Sequence, residues 1–261
     1  MATLAVTIFQ TAVGLVTAAL YIWVARIVLV KDVEGEAKRA NVMFAVWWLA
    51  LALLYFVAPL LSLPPQFGYR DLALAVTVLN IVFLLIVVAI WGLVYYLAYL
   101  YTGDKRWFWP LAVFYFLLGC GLLYFLTWLD PSGFKDDGSL AFTKQSTGAP
   151  AISPVISIAF GLAFIIPVLI AAVAYGTLFF RVHEPGPRYR IGMVSGAFIL
   201  QFGWSAISTI LQLSVKYPDS LGLALLGNAL GIASAVIILL AFRPPRGIRE
   251  RLAATSSGGM R

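Results

Sequence analysis

Seven stretches of this sequence, residues 3–30, 40–63, 71–101, 107–129, 152–180, 189–215 and 220–242, are strongly apolar and carry formal charge only at or near their ends. About 20 such residues, wound as a helix, cross the ~30 Å hydrocarbon core of a bilayer. Lipid offers no hydrogen bonds to an open backbone, so each stretch must be helical. The expected fold is therefore all-α, a polytopic membrane protein of seven transmembrane helices. Residues 1–242 form the bundle, and residues 243–261 form a short basic tail. With 62% apolar and 11% charged residues, against roughly 25% charged in an average soluble chain, no separate water-soluble domain is expected. The third and fifth stretches are long enough to tilt or to project beyond the membrane.

The loops set the orientation. Arg26, Lys31, Lys38 and Arg39 flank the first, Lys105 and Arg106 the third, and Arg181, Arg188 and Arg190 the fifth. Arg243, Arg246, Arg249, Arg251 and Arg261 follow the last stretch, and only Arg70, Lys135, Lys144 and Lys216 lie on the opposite side. Basic residues gather on the cytoplasmic face, so the N-terminus is expected outside and the C-terminus inside, in a multi-pass protein of the plasma (cytoplasmic) membrane. Aromatic anchors follow the same division, with Tyr99, Tyr101, Trp107 and Trp109 at the inner boundary and Phe67, Tyr69, Trp128 and Tyr217 at the outer one. The net charge of +7 then reads as a lipid-facing feature, and no nucleic-acid partner is expected. The longest loop, from Asp130 to Ala151, carries Asp-Pro-Ser-Gly and Asp-Asp-Gly turn sequences and is expected to form a compact external lid.

Several kinds of chemistry lack their residues. His183 is the one histidine and sits in an Arg-Val-His-Glu-Pro-Gly-Pro loop, where solvation is expected rather than ligation. The one cysteine, Cys120, lies inside the fourth stretch, so no intrachain disulfide forms and a buried packing role is expected. No acidic residue or histidine falls within a helix interior, which disfavours proton or ion coupling. Neither a phosphate-binding glycine loop nor a Ser-His-Asp set can be assembled. Enzymatic activity, a metal and a cofactor are therefore not expected.

Polar side chains recur at helical spacing. The first helix places Thr3, Thr7, Gln10, Gly14, Thr17 and Tyr21 on one face, and the sixth places Gln201, Ser205, Ser208 and Gln212 beside Trp204. Asn41, Phe44, Trp48, Tyr55 and Ser62 mark the second helix, Thr77, Asn80, Trp91 and Tyr95 the third, and Cys120, Tyr124 and Thr127 the fourth. Such faces should turn inward, because an amide in lipid is costly. Gln10, Tyr55, Asn80, Gln201, Trp204, Ser205, Ser208 and Asn228 are the expected ligand contacts of a cavity in the outer half. Interhelical hydrogen bonding that merely ties the bundle explains the same residues. Pro59 and Pro167 are candidate hinges. Gly192 with Gly196, and Gly227 with Gly231, suit close helix packing or a homo-oligomer contact.

The layout resembles that of G-protein-coupled receptors, and the Arg243-Pro-Pro-Arg246 exit is similar to the end of seven-helix sensor modules that precede bacterial histidine kinases. The likeness to these modules implies a receptor-like sensor with a non-covalent ligand and an output to a separate cytoplasmic signalling protein. Arg188, Arg190, Arg246, Arg249 and Arg251 would then meet that partner or the lipid surface. Neither the Glu/Asp-Arg-Tyr nor the Asn-Pro-x-x-Tyr motif of the receptors is present, and the last stretch has no lysine of the kind that holds retinal in rhodopsins. A second reading, a passive facilitator of a small neutral solute, follows from Asp71 and Asn80 matched by Asp219 and Asn228. That pairing resembles the paired asparagines of the SWEET sugar facilitators, but the prolines of their first and sixth helices are missing. A third reading is an accessory subunit holding lipid, quinone or carotenoid.

Overall fold

A computed structural model of the chain describes residues 2–30, 36–134, 140–143, 154–213 and 221–258. Helices α1 (Ala2–Val30), α2 (Glu36–Val57), α3 (Pro59–Gln66), α4 (Leu72–Thr102) and α5 (Phe108–Leu129) come first. A short antiparallel hairpin, β1 (Pro131–Phe134) and β2 (Leu140–Phe142), interrupts the helices. Helices α6 (Pro154–Arg181), α7 (Pro185–Leu213), α8 (Leu221–Phe242) and α9 (Arg246–Gly258) follow. The all-α expectation is met apart from the hairpin, and a helix lies over each of the seven apolar stretches.

Among the described residues four helical stretches are long and apolar enough to cross a membrane: Thr7–Val30, Ala37–Gln66, Leu72–Thr102 and Lys105–Tyr124. A fifth is added if Ala229–Phe242 and Arg246–Leu252, bent by 49° at the break between them, count as one. Ile165–Arg181 is a shorter apolar helix.

The chain divides into two compact units, Met1–Ala159 and Phe160–Arg261. In the first, α2 lies between α1 and α4, and α5 packs on the far side of α4. Close approach of α2 and α4 is made by Gly92, where a β-carbon would stand 2.7 Å from the Met43 carbonyl oxygen and 3.2 Å from the Trp47 nitrogen. In the second unit α7 packs on α8, and α9 returns to α7. Here buried serines serve as polar glue: the Ser195 hydroxyl donates to the Ala172 carbonyl at 3.2 Å, and the Ser234 hydroxyl to the Ala197 carbonyl at 3.4 Å. Each donor thereby finds an acceptor on a neighbouring helix, which lipid could not supply. The boundary expected at residues 242 and 243 falls on the bend between α8 and α9, and α9 belongs with the second unit.

Local chemistry explains where the helices begin and end. Pro59 lacks the donor that would continue α2, so the chain makes one tight turn at Ala58, where Leu61 N–H reaches the Ala58 carbonyl at 3.0 Å, before α3 proceeds. Asp71 caps α4 by accepting from the Leu74 N–H at 3.1 Å. Asp71→Ala should therefore cost about 1 kcal/mol, read as a small fall in melting temperature of the purified protein. Helix α4 stops at Gly103, which takes the left-handed conformation (φ 65°) and donates to the Tyr99 carbonyl at 2.7 Å. Asp104 then accepts from the Arg106 N–H at 2.9 Å and starts a single 3-10 turn, Lys105–Trp107, that leads into α5.

The described residues of the loop after α5 form a short hairpin where the sequence alone marks turns. Asp130 enters it at φ 53°, a backbone state that Asp tolerates better than most residues. The strands pair Gly133 with Ala141 and Phe134 with Leu140, with an irregularity between Pro131 and Gly133. Phe134 lines one small pocket with Pro64 and Pro65 of α3 and Leu74 of α4. Lys135, Lys144 and Lys216, with Trp128 and Tyr217 as anchors, lie outside the residues whose side chains are described.

Candidate functional site

The polar face of α1 turns inward as expected. Thr17 and Tyr21 are almost wholly buried, Thr7 nearly so, and Gln10 half-buried. That face lies on α2: the Tyr21 ring sits 5.3 Å from Trp48 and 5.8 Å from Tyr55, and a β-carbon on Gly14 would stand 3.4 Å from the Tyr55 carbonyl oxygen. Tyr55 is thereby brought to the face that carries Gln10, one helical turn from Gly14. Asn80 is half-buried on α4. The threonine hydroxyls satisfy themselves within their own helices, Thr11 on Thr7, Thr17 on Val13 and Thr77 on Ala73, at 2.8–2.9 Å. Back-bonding of this kind uses each hydroxyl's one proton and leaves its oxygen able only to accept.

On the other unit, Gln201 is half-buried on α7. Trp204, Ser205 and Ser208 are on α7 and Asn228 is on α8, with side chains outside those described. Pro59 sits at the break between α2 and α3, whereas Pro167 is buried within an uninterrupted α6.

The fourth helix departs from expectation. Cys120 is exposed and Tyr124 is 75% exposed, so the stripe they mark on α5 is not buried in a helix interface. A thiol and a phenol carry enough hydrocarbon to face lipid at small cost. Thr77 on α4 is exposed as well. His183 is exposed in the turn between α6 and α7.

A cavity of about 470 Å³ opens between α4 and α5, within the usual size of a small-molecule site. Leu84, Val87, Val88 and Trp91 form one wall, and Trp109, Val113, Phe116, Gly119, Cys120 and Leu123 the other. Val87 and Tyr115 make its floor, while Trp109, Val113 and Phe116 stand more than half exposed along its rim. At its end near the α4–α5 turn, the Phe108 ring lies 5.4 Å from each of Trp91, Tyr95 and Trp109. The Arg39 guanidinium sits 5.8 Å from the centre of that ring. Buried within this cluster, the Trp91 indole nitrogen and the Tyr95 hydroxyl find no hydrogen-bond partner among the described residues. Of the expected ligand contacts whose side chains are described, Gln10, Tyr55, Asn80 and Gln201, none lines this groove. Its walls are uniformly apolar, so in sequence it cannot be told from ordinary lipid-facing surface.

A third arrangement lies at one end of the second unit. The Arg188 guanidinium is 4.7 Å from the Phe179 ring centre, and Arg190 is 5.8 Å from that of Phe242. Tyr189 donates to the Leu240 carbonyl at 3.4 Å, tying α7 to α8. Gly192 leaves room for the Phe179 ring, since a β-carbon there would meet it at 2.9 Å. Among the described residues a β-carbon on Gly196 would meet nothing within 4 Å, whereas Gly192 packs closely on Phe179. After Arg243-Pro-Pro the chain turns into α9, whose Arg246, Arg249 and Arg251 are exposed and whose Ile248 and Leu252 are half-buried. Alternation of this sort makes α9 amphipathic, and its return to α7 gives the half-buried side a packing surface. No protein-family model matches the sequence, and a search of curated proteins finds no match.

Proposed function

We propose that this chain is a membrane protein of seven spans, with its N-terminus outside and its C-terminus in the cytoplasm, acting as a receptor-like sensor. A small ligand is held without a covalent bond by amide and aromatic groups in the outer half, among them Gln10, Tyr55 and Asn80. The response passes to a separate cytoplasmic protein. The observation that carries this reading is the folded tail. Helix α9 leaves α8 at 49° and packs on α7, so a shift of α7 would be transmitted to a surface bearing Arg246, Arg249 and Arg251. Arginines at this density exclude α9 from hydrocarbon, which supports a place at the cytoplasmic surface. The excess of basic residues in the odd-numbered loops supports the orientation.

The test begins with native mass spectrometry of small molecules and proteins retained after gentle extraction. Asn80→Ala is expected to weaken retention of a bound small molecule about tenfold, the effect of losing one hydrogen bond of ~1.4 kcal/mol, with the melting profile unchanged. Trp204→Ala tests the contribution of α7 separately. Unchanged retention in both variants would overturn the ligand site. Solute uptake in proteoliposomes would replace the sensor with a facilitator.

A second reading, a subunit that holds an apolar guest, is supported by the groove between α4 and α5. A visible absorption band in the purified protein would identify that guest as a pigment.

A further inference from the structure

We infer that the groove between α4 and α5 holds one hydrocarbon chain of an anionic lipid, with the headgroup over Arg39, Lys105 and Arg106. This inference needs only that α4 and α5 lie in the membrane, and it stands or falls apart from the sensor reading.

The argument starts from the lining. Every side chain along the groove is apolar or aromatic, and the residues on its rim face away from protein. In a bilayer the medium beside such a surface is lipid hydrocarbon. A polar solute would find nothing there to replace its hydration. From Trp109 to Leu123 the α5 wall is about 21 Å long at ~1.5 Å per residue, more than the ~15 Å that one leaflet contributes to a ~30 Å core. A single chain can therefore be held over the whole depth of a leaflet. Contact with fixed rings along this length replaces contact with mobile chains, and the gain is dispersion summed over many atom pairs.

The charge at one end selects the headgroup. Lys105 and Arg106 form the 3-10 turn that immediately precedes α5, and both are exposed. The guanidinium of Arg106 is 90% exposed, and its contact with Asp104 is a loose 3.5 Å, so it can turn to a phosphate. Arg39 adds a third cation, placed by the Phe108 ring that also touches Trp91 and Trp109 on the two walls of the groove. Trp107 and Trp109, both largely exposed, suit the headgroup level where indoles settle. An apolar slot that ends at three cations and two interfacial indoles complements a lipid with a negatively charged headgroup. A neutral lipid would fit the slot but bring no net negative charge to the cations at its end.

Cys120 lines the groove and is the one cysteine in the sequence, so its alkylation by N-ethylmaleimide reports occupancy with no engineering of the chain. For detergent-purified protein, added phosphatidylglycerol is expected to slow alkylation at least tenfold, and phosphatidylcholine less than threefold. Native mass spectrometry should show one phosphatidylglycerol retained per chain. Replacing Lys105 and Arg106 together by Gln, at exposed positions where folding is not at stake, should remove the difference between the two lipids. Ala112→Phe should fill the groove and slow alkylation without added lipid. Equal protection by both lipids, no protection by either, or protection that follows dimer formation on native gels would each overturn the inference. Unchanged ligand retention in Asn80→Ala and Trp204→Ala, with lipid protection intact, would sink the sensor and leave the groove assignment standing.

Discussion

Gly92→Ala is expected to lower the stability of the folded protein by about 3 kcal/mol, at the upper end of the usual overpacking cost. The new methyl carbon would stand 2.7 Å from the Met43 carbonyl oxygen, 3.2 Å from the Trp47 nitrogen and 3.4 Å from a Val46 methyl. Two of these three neighbours are backbone atoms of α2, so no side-chain rotation relieves the contact, and α2 and α4 must move apart. In a membrane the loss is not softened by a weaker drive to bury surface. Helix association there depends on close packing itself, which small residues permit. Gly121→Ala is the matching control, because a β-carbon there meets nothing within 4 Å among the described residues. Alanine favours a helix over glycine by about 1 kcal/mol, so that variant should be neutral or slightly more stable. Thermal unfolding of the two variants in one detergent, followed by size-exclusion fluorescence, separates these outcomes. Equal melting temperatures would show that α2 and α4 do not meet at Gly92.

Trp48→Ala is expected to cost a similar amount, about 3 kcal/mol, the lower end of the range for removing a large aromatic side chain from a core. Trp48 is wholly buried and sits among Tyr21 at 5.3 Å, Phe44 at 5.8 Å and Trp47 at 6.2 Å. Its removal opens a void between α1 and α2 that lipid chains cannot enter. The transfer part of the usual penalty is smaller here, because the unfolded reference is itself in hydrocarbon, and what remains is lost packing. Trp109→Ala supplies the contrast at 73% exposure, with an expected change within about 0.5 kcal/mol. If both tryptophans tolerate alanine equally, the packed interior of the first unit is misplaced.

The helices were legible because lipid allows no alternative for an apolar stretch, and their ends were legible where chemistry is explicit. Between the third and fourth stretches, the structure then shows Gly103 as the stop of α4 and Asp104 as the cap of the turn at Lys105. The inward face of α1 was legible too, since Thr7, Gln10, Thr17 and Tyr21 stand out against aliphatic neighbours. The same rule failed on α5, where Cys120 and Tyr124 share a stripe yet face outward. Weakly polar groups tolerate lipid, so their spacing carries less information than that of amides. The hairpin escaped notice because its strands, Pro131–Phe134 and Leu140–Phe142, are too short to show alternation. The groove between α4 and α5 left no trace in the pattern, because a concave apolar wall and a convex one have the same composition. Only the cations at Arg39, Lys105 and Arg106 distinguish its end, and in the sequence they served to fix orientation alone.

The contacts of the first unit join helices that are near neighbours along the chain: α1 with α2, α2 with α4, and α4 with α5. A polypeptide emerges from the ribosome at about 5–20 residues per second, so the Gly92 contact can close seconds before the last helices are made. Partnerships between near neighbours also form quickly, because little chain entropy opposes them. Assembly can thus proceed in step with synthesis, each new helix docking on a surface already waiting for it.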